Sequence, residues 1–195
     1  MSSDADLRAR IVTGAIEAYR AHDYHSVGVE QVAEQAELTV AEVQRLYPLW
    51  DLLVVAVMDR WNNGNRRALW HIAENEGVAA YLRARLEAGL QDPALVRLRL
   101  ALLSAASSPD HAAAGWFRSQ YTTSFQDLTL ALVRDVVAGR EPRGASPRHA
   151  AEQLLALYEG LQLQGMVRDG VDLLSGYDRA VGRMRSGWTA AANEI

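Results

Sequence analysis

The sequence predicts an all-α protein, in which a three-helix N-terminal domain precedes a C-terminal bundle of about six helices. Apolar residues recur at three- and four-residue steps along nearly the whole chain of 195 residues, and no segment shows the alternating pattern of a strand. Apolar residues make up 49% of the composition and there are only 5 prolines, which excludes a disordered or low-complexity chain. Capping residues, glycines and prolines fall at the ends of the periodic segments.

The first fifty residues contain three predicted helices, at residues 5–22, 29–36 and 39–46. The third follows a tight turn, because Thr39 and Glu42 have the spacing of a capping box. It ends before Pro48, since proline disfavours helix in the residue that precedes it. This order of helices is the helix-turn-helix arrangement, whose last helix lies in the major groove of DNA.

The remainder of the chain contains six predicted helices, at residues 51–75, 78–90, 93–106, 108–138, 147–169 and 173–192. Pro93 is well placed in the first turn of its helix. Residues 139–146, with the sequence GREPRGAS, are polar and rich in glycine and proline, so they form the one predicted linker.

Composition and charge restrict the class of protein. There is no cysteine, so disulfides, thiol catalysis and cysteine-ligated zinc are excluded. The N-terminus has acids before any apolar run, which does not fit a signal peptide, and the longest apolar stretch, residues 52–58, is far shorter than a membrane span. A cytoplasmic protein is therefore expected. All 20 basic residues are arginine, and the net charge is −4.

Residues 10–54 resemble the DNA-binding domain of the TetR family of bacterial regulators. The resemblance is carried by IVTGAIEAYRAHDY at 11–24, VEQVAEQAELTVAEV at 29–43 and LYPLWDLLV at 46–54. The positions in register are Ile11, Ala15, Tyr19, Tyr24, Val29, Val32, Ala33, Ala36, Leu38, Thr39, Val43, Tyr47 and Leu53.

The resemblance implies a regulator that binds operator DNA as a homodimer and is released by a small apolar or aromatic ligand. Residues 1–50 would then form the DNA-binding domain, and residues 51–195 the ligand-binding and dimerisation domain. The implied contacts with double-stranded DNA come from Gly28, Thr39, Val40, Gln44, Arg45 and Tyr47.

Several positions of the family pattern are altered, and most of those that contact DNA phosphates are among them. The glycine of the turn is Glu37, the lysine at the start of the fourth helix is Trp50, and the aromatic residue of the third helix is Gln44. Positions that the family fills with Thr, a Ser-like residue and often a base are here Val27, Gly28 and Glu30.

Charge points the same way without reference to a family. The first fifty residues hold eight acids against four arginines, and between residues 28 and 50 Arg45 is the single base against four acids. Duplex binding draws much of its affinity from phosphate neutralisation.

Three hypotheses remain open. The chain is a repressor whose affinity depends on dimerisation and polar contacts, or a helical sensor that has lost DNA binding and acts through a protein partner. In the third, its acidic face engages another, basic DNA-binding protein.

Aromatic residues and glutamines in the C-terminal helices suit an apolar ligand site, with the favoured alternative for any single aromatic residue that it belongs to the core. The predicted ligand-binding residues are Trp61, Trp70, Trp116, Phe117, Tyr121, Tyr158 and Gln162. The last two helices suit a symmetric four-helix interface, with the alternative that their apolar face only closes the monomer core. The predicted interface residues are Leu154, Tyr158, Leu161, Gly165, Tyr177, Val181, Met184 and Trp188.

No catalytic arrangement is recognisable, so the chain is not expected to be an enzyme. The five histidines are dispersed, without the spacing of a helical ligand pair or of a Ser-His-Asp triad. No metal site, cofactor or membrane association is predicted.

Overall fold

The computed structural model describes residues 3–192, and side chains as far as residue 190. Within this range the regular secondary structure is entirely helical, which confirms the all-α prediction. The α-helices are α1 (Asp4–Ala21), α2 (Val29–Gln35), α3 (Val40–Leu46), α4 (Trp50–Asn75), α5 (Val78–Leu90), α6 (Pro93–Ala105), α7 (Ala114–Val137), α8 (Pro147–Val167) and α9 (Leu173–Ala192). Six helices follow α3, as the sequence predicts.

Side-chain caps set the ends of two helices in the N-terminal part. The predicted capping box of α3 is present: the Glu42 N–H donates to Thr39 Oγ1 at 3.2 Å, and the Thr39 N–H donates to Glu42 Oε2 at 2.8 Å. A second box, formed by Ser3 and Asp6, starts α1 at Asp4. The hydrogen bonds from Ser3 hold the pKa of Asp6 below its usual value. Both boxes satisfy backbone N–H groups that have no partner within the helix.

One predicted boundary is wrong by more than two residues. The helix predicted to start at residue 108 starts at Ala114, and residues before it form turns. The cause is His111, whose Nδ1 accepts the Ala113 N–H at 3.1 Å and whose carbonyl accepts the Ala114 N–H at 2.9 Å. His111 therefore stabilises the turn that precedes α7.

The chain forms two compact units. Unit 1 comprises residues up to 64 together with 92–117, and unit 2 comprises residues 65–91 together with those from 118 onward. The functional division predicted at residue 50 remains a prediction. No described helix is long and apolar enough to cross a membrane.

Unit 1 has a core made by the apolar stripes of α1, α2 and α3. Ile11, Ala15 and Val32 are fully buried, as the helical spacing predicts. Asp92, at the start of α6, accepts hydrogen bonds from the Arg20 guanidinium and from the Trp61 indole, at 2.7 and 2.9 Å on the same Oδ2. This carboxylate therefore connects α6 with α1 and α4.

The core of unit 2 is formed by buried residues of α5, α8 and α9, and α7 contributes Leu128 and Leu132. Two buried carboxylates hold its loops. Asp135 accepts the Val78 N–H at 2.8 Å and pairs with Arg140 at 2.9 Å. Glu141 is 3% exposed and makes a bidentate pair with Arg185, at 2.7 and 2.6 Å. Each buried charge is therefore both paired and hydrogen-bonded.

Candidate nucleic-acid interface

The head, residues 3–50, contains the helix-turn-helix, and its turn has an unusual backbone. Among the described residues, Glu37 is the only non-glycine with a positive φ, at 52°. The Leu38 N–H donates to Ala33 O at 2.9 Å and the Glu37 N–H to Glu34 O at 3.1 Å. These two bonds form a Schellman motif, in which glycine is the usual left-handed residue. The turn has the family's geometry without the family's glycine.

Arg10 holds this turn from α1. Its Nη2 donates to the carbonyls of Ala36 and Glu37, at 2.8 and 3.1 Å. A cation at the C-terminal end of a helix also interacts favourably with the helix dipole. Arg10 therefore stabilises the α2 terminus and the strained residue that follows it.

Gly14 brings α1 against the end of α2. A Cβ built on Gly14 would lie 2.6 Å from the Ala36 nitrogen and 2.8 Å from its Cα. Only glycine allows this approach without a shift of the backbone. The position of α2 relative to α1 therefore depends on Gly14.

Helix α3, the second helix of the helix-turn-helix, buries Val43 and Leu46, and exposes Gln44 and Arg45. The remaining predicted DNA-contact residues mark the ends of short helices. Thr39 caps α3, Val40 is its half-buried first residue, Tyr47 is its C-cap, and Gly28 is the N-cap of α2. The exposed polar groups on α3 are few.

All four arginines of the head have partners within unit 1. The Arg8 Nη1 donates to Leu46 O at 2.7 Å, and its guanidinium lies over the Tyr47 ring. Arg20 pairs with Glu17 and Asp92. Arg45 makes a bidentate pair with Asp4, Nη2 to Oδ1 at 2.9 Å and Nη1 to Oδ2 at 3.2 Å. Arg10 binds the turn as described.

Trp50, which replaces the family's lysine, interacts with the interior of the head. Its side chain hydrogen-bonds Tyr19, whose pKa is raised chiefly by burial and lowered in part by this hydrogen bond. The residue at this position therefore contributes packing and a neutral donor in place of a cation.

The predicted ligand-binding residues are divided between the two units. In unit 1, the indole N–H groups of Trp61 and Trp116 donate to Asp92 and Asp59, at 2.9 and 3.0 Å. Phe117 is buried and stacks edge-to-face on Trp116, with 4.8 Å between ring centroids. These three residues have structural partners.

In unit 2, four predicted ligand-binding residues belong to an aromatic cluster crossed by polar contacts. Trp70 packs edge-to-face on Tyr81. The Gln162 Nε2 donates to the buried Tyr158 hydroxyl at 2.8 Å, and the Tyr121 hydroxyl contacts a Glu159 oxygen at 2.6 Å.

Two arginines lie on the faces of these rings. Arg66 lies 5.5 Å from the Trp70 centroid, and Arg85 lies 5.9 Å from Tyr81 and 5.5 Å from Tyr158. Arg66 is also paired with Asp127 at 2.6 Å. The cluster thus combines aromatic surface with positive charge.

Most of the predicted interface residues lie in the core of unit 2. Six of them are buried within the chain: Leu154, Tyr158, Leu161, Tyr177, Val181 and Trp188. Met184 is partly buried against the same core, and Gly165 lies against Leu173. The outward side of α8 instead exposes Leu163 and Val167, at 53% and 73%.

Sequence reasoning missed two carboxylates that form ion pairs with arginines of the head. Asp4 and Asp92 are distant in sequence from the arginines that they hold, so no spacing rule indicates them. The Ser3–Asp6 box could have been found, because Ser-x-x-acid before an apolar helix is its usual pattern.

A helix-turn-helix head on an otherwise all-helical chain is the architecture of a class of transcription regulators. Comparison with solved structures finds the same fold in other proteins. The chain is similar to a putative TetR-family regulator from Mesorhizobium loti, with a TM-score of 0.73 at 16% identity over 97% of this chain and 98% of that one. It is also similar to a TetR-family regulator from Streptomyces coelicolor, with a TM-score of 0.69 at 18% identity over 95% and 97%. No relative was found among curated proteins.

The family itself follows from the C-terminal half. Residues 74–177 match the sequence model described as BetI-type transcriptional repressor, C-terminal, which covers slightly more than half of the chain. The chain therefore belongs to the TetR family of transcription regulators, which are not enzymes. A putative regulator from Saccharomonospora viridis, solved in complex with choline, is similar over 91% of this chain and 95% of that one, with a TM-score of 0.69 at 17% identity.

Proposed function

We propose that this regulator binds operator DNA as a homodimer and is released by a small neutral or anionic aromatic ligand. The observation that carries the DNA-binding part is the retained helix-turn-helix geometry. The turn at Glu37 keeps the left-handed backbone, and both α2 and α3 keep their caps. A head under no requirement to present α3 would not need this strained residue.

Base reading would come from Gln44 and Arg45, which are the exposed polar side chains of α3. Glutamine suits adenine and arginine suits guanine in the major groove. The residues at the helix ends would lie near the sugar-phosphate backbone of the DNA: Gly28, Thr39, Val40 and Tyr47.

Phosphate contacts would be few. Arg8, Arg10 and Arg45 are the head arginines near α3, so a dimer offers at most about six cations, and log K should fall with log salt with a slope of about −5 or shallower.

The arginines of the aromatic cluster support the choice of ligand. Arg66 and Arg85 already lie on the ring faces that a quaternary ammonium would need. A ligand like the choline bound by the Saccharomonospora viridis protein would meet positive charge here. An aromatic acid or a neutral aromatic molecule would meet rings and donors.

A symmetric dimer would use the outward residues of α8. Leu163 and Val167 are large apolar side chains one helical turn apart, exposed on a helix whose other face is buried. The buried residues first predicted for this interface would pack in the core of unit 2, on the opposite side of the helix from the contact.

The test is fluorescence anisotropy with a duplex from the region upstream of the protein's own gene, at 50 and 150 mM salt. Specific binding by a dimer, relieved by benzoate and not by choline, is the expected result. Absence of any specific complex at low salt would refute DNA binding.

A second candidate is a sensor that acts through a protein partner. It is favoured by one observation, that each head arginine is engaged within unit 1. The same titration distinguishes the two functions. If the protein is a folded dimer that binds no duplex, DNA binding is refuted and the sensor that acts through a protein partner remains.

A further inference from the structure

The ion pair between Asp4 and Arg45 joins the first turn of α1 to the recognition helix. The two residues are 41 positions apart, and both side chains are exposed, at 64% and 53%. Both carboxylate oxygens are used, on the two Nη atoms. Such end-on pairing fixes the guanidinium in one orientation.

Arg45 is the only base between residues 28 and 50, so it is the only cation that α3 itself can bring to DNA. Arg8 and Arg10 donate to backbone carbonyls, Leu46 O and Ala36 O, and not to a carboxylate. Of these three arginines, Arg45 is the one that forms an ion pair with a carboxylate. Asp4 thus removes the charge that matters most for recognition.

The orientation of the ion pair decides whether Asp4 positions Arg45 for DNA or competes with DNA for it. A carboxylate that contacted Nε would leave the end of the guanidinium available for a guanine. Asp4 instead occupies the two Nη atoms, the edge that reaches furthest from α3. A phosphate or a guanine approached end-on would need the same edge.

We propose that Asp4 is an autoinhibitory counterion, which DNA must displace from Arg45 and which thereby weakens operator binding. The proposal rests on the proposed DNA-binding function. The mutual effect of the pair agrees with it: the hydrogen bond to Arg45 lowers the pKa of Asp4, so the competing carboxylate stays ionised well below neutral pH.

The test is a double-mutant cycle with Asp4→Asn, Arg45→Ala and the double variant, measured by anisotropy on the upstream duplex and on a random duplex of equal length. Asp4→Asn should tighten binding roughly threefold for each head, and so about tenfold for a dimer. The salt slope should steepen by about 0.9 for each head, since Arg45 then reaches a phosphate without competition.

Glu34→Gln is the matched control. Glu34 is exposed on α2, so this variant removes one negative charge from the head without releasing Arg45. It should tighten binding less than Asp4→Asn. In the Arg45→Ala background, Asp4→Asn should have no effect beyond that of the control. Circular dichroism checks that all variants keep their helices, and Asp4→Ala provides a second substitution.

Three results would overturn the proposal. Equal affinity of wild type and Asp4→Asn would show that the pair does not compete with DNA. Weaker binding by Asp4→Asn would show that Asp4 positions Arg45 for reading. If Asp4→Asn tightened DNA binding equally in the wild-type and Arg45→Ala backgrounds, the effect would come from the net charge of the head and not from Arg45. If no protein binds either duplex, the proposed function fails and this inference fails with it.

Discussion

Replacement of Gly14 by alanine should destabilise the head, although alanine is the better helix former. The added Cβ would meet three atoms of Ala36, at 2.6, 2.8 and 2.8 Å, two of them backbone atoms. Ordinary carbon contacts lie at about 3.5–4.0 Å, so α2 would have to move by roughly 1 Å.

The magnitude follows from two opposing effects. Overpacking of this kind costs about 1–3 kcal/mol, and here toward the upper end because backbone atoms cannot rotate away. The change from glycine to alanine within a helix returns about 1 kcal/mol. The net loss should be about 2 kcal/mol, which lowers Tm by roughly 4–8 °C for a chain of this size.

The assay is thermal and urea unfolding followed by circular dichroism, with Gly64→Ala as the matched control. Gly64 is also helical, and a Cβ built there meets nothing within 4 Å. The control should gain about 1 kcal/mol. If Gly14→Ala is as stable as wild type while the control behaves as expected, the close approach of α1 and α2 is refuted.

Three further predictions concern a cap, a buried charge and the dimer. Thr39→Ala should cost about 1 kcal/mol at pH 7. Hydrogen bonds from the Thr39 N–H and hydroxyl lower the pKa of Glu42, so the stabilisation from the hydroxyl bond to the carboxylate is complete above the usual glutamate pKa and is lost as pH falls through the lower folded value. The difference in urea midpoint between wild type and Thr39→Ala should therefore narrow as the pH falls through that value. Asp135→Ala should cost about 3–5 kcal/mol in urea unfolding, because it leaves the buried Val78 N–H without its acceptor and a guanidinium without its partner. Leu163→Glu should give a folded monomer by light scattering, since that side chain is exposed within the chain.

Matched variants make each result interpretable. Thr13→Ala removes a hydroxyl bonded only to the carbonyl one turn earlier, and should be close to neutral. Asp178→Ala removes an exposed carboxylate paired with Arg83, and should cost less than about 1 kcal/mol. Leu90→Glu alters another exposed leucine, and should leave the dimer intact. Variants that match their controls would contradict the corresponding prediction.

Local rules explain how far the sequence could be interpreted. Ile11, Ala15 and Val32 were predicted to share buried helix faces from their helical spacing, and all three are buried. The α3 cap was predicted from Thr39 and Glu42 because both partners lie within one turn. The start of α7 was not predicted, since the hydrogen bond between the Ala113 N–H and His111 depends on a turn that has no strong residue signature.

The candidate site was predictable only in its residue types. Arg45 stood out because it is alone in its segment, but its neutralisation by Asp4 depends on how α1 crosses α3. The same holds for α8, where large apolar residues lie on both faces and only packing decides that Tyr158 turns inward while Leu163 stays exposed.

The sequence by itself therefore determined the order of the helices, the cap of α3 and the family of this protein, because each depends on residues a few positions apart. It also determined that the head is acidic. Only the tertiary structure decided which cations that acidity neutralises, because ion pairs such as Asp4–Arg45 and Asp92–Arg20 join residues that only the packing of helices brings within hydrogen-bonding distance.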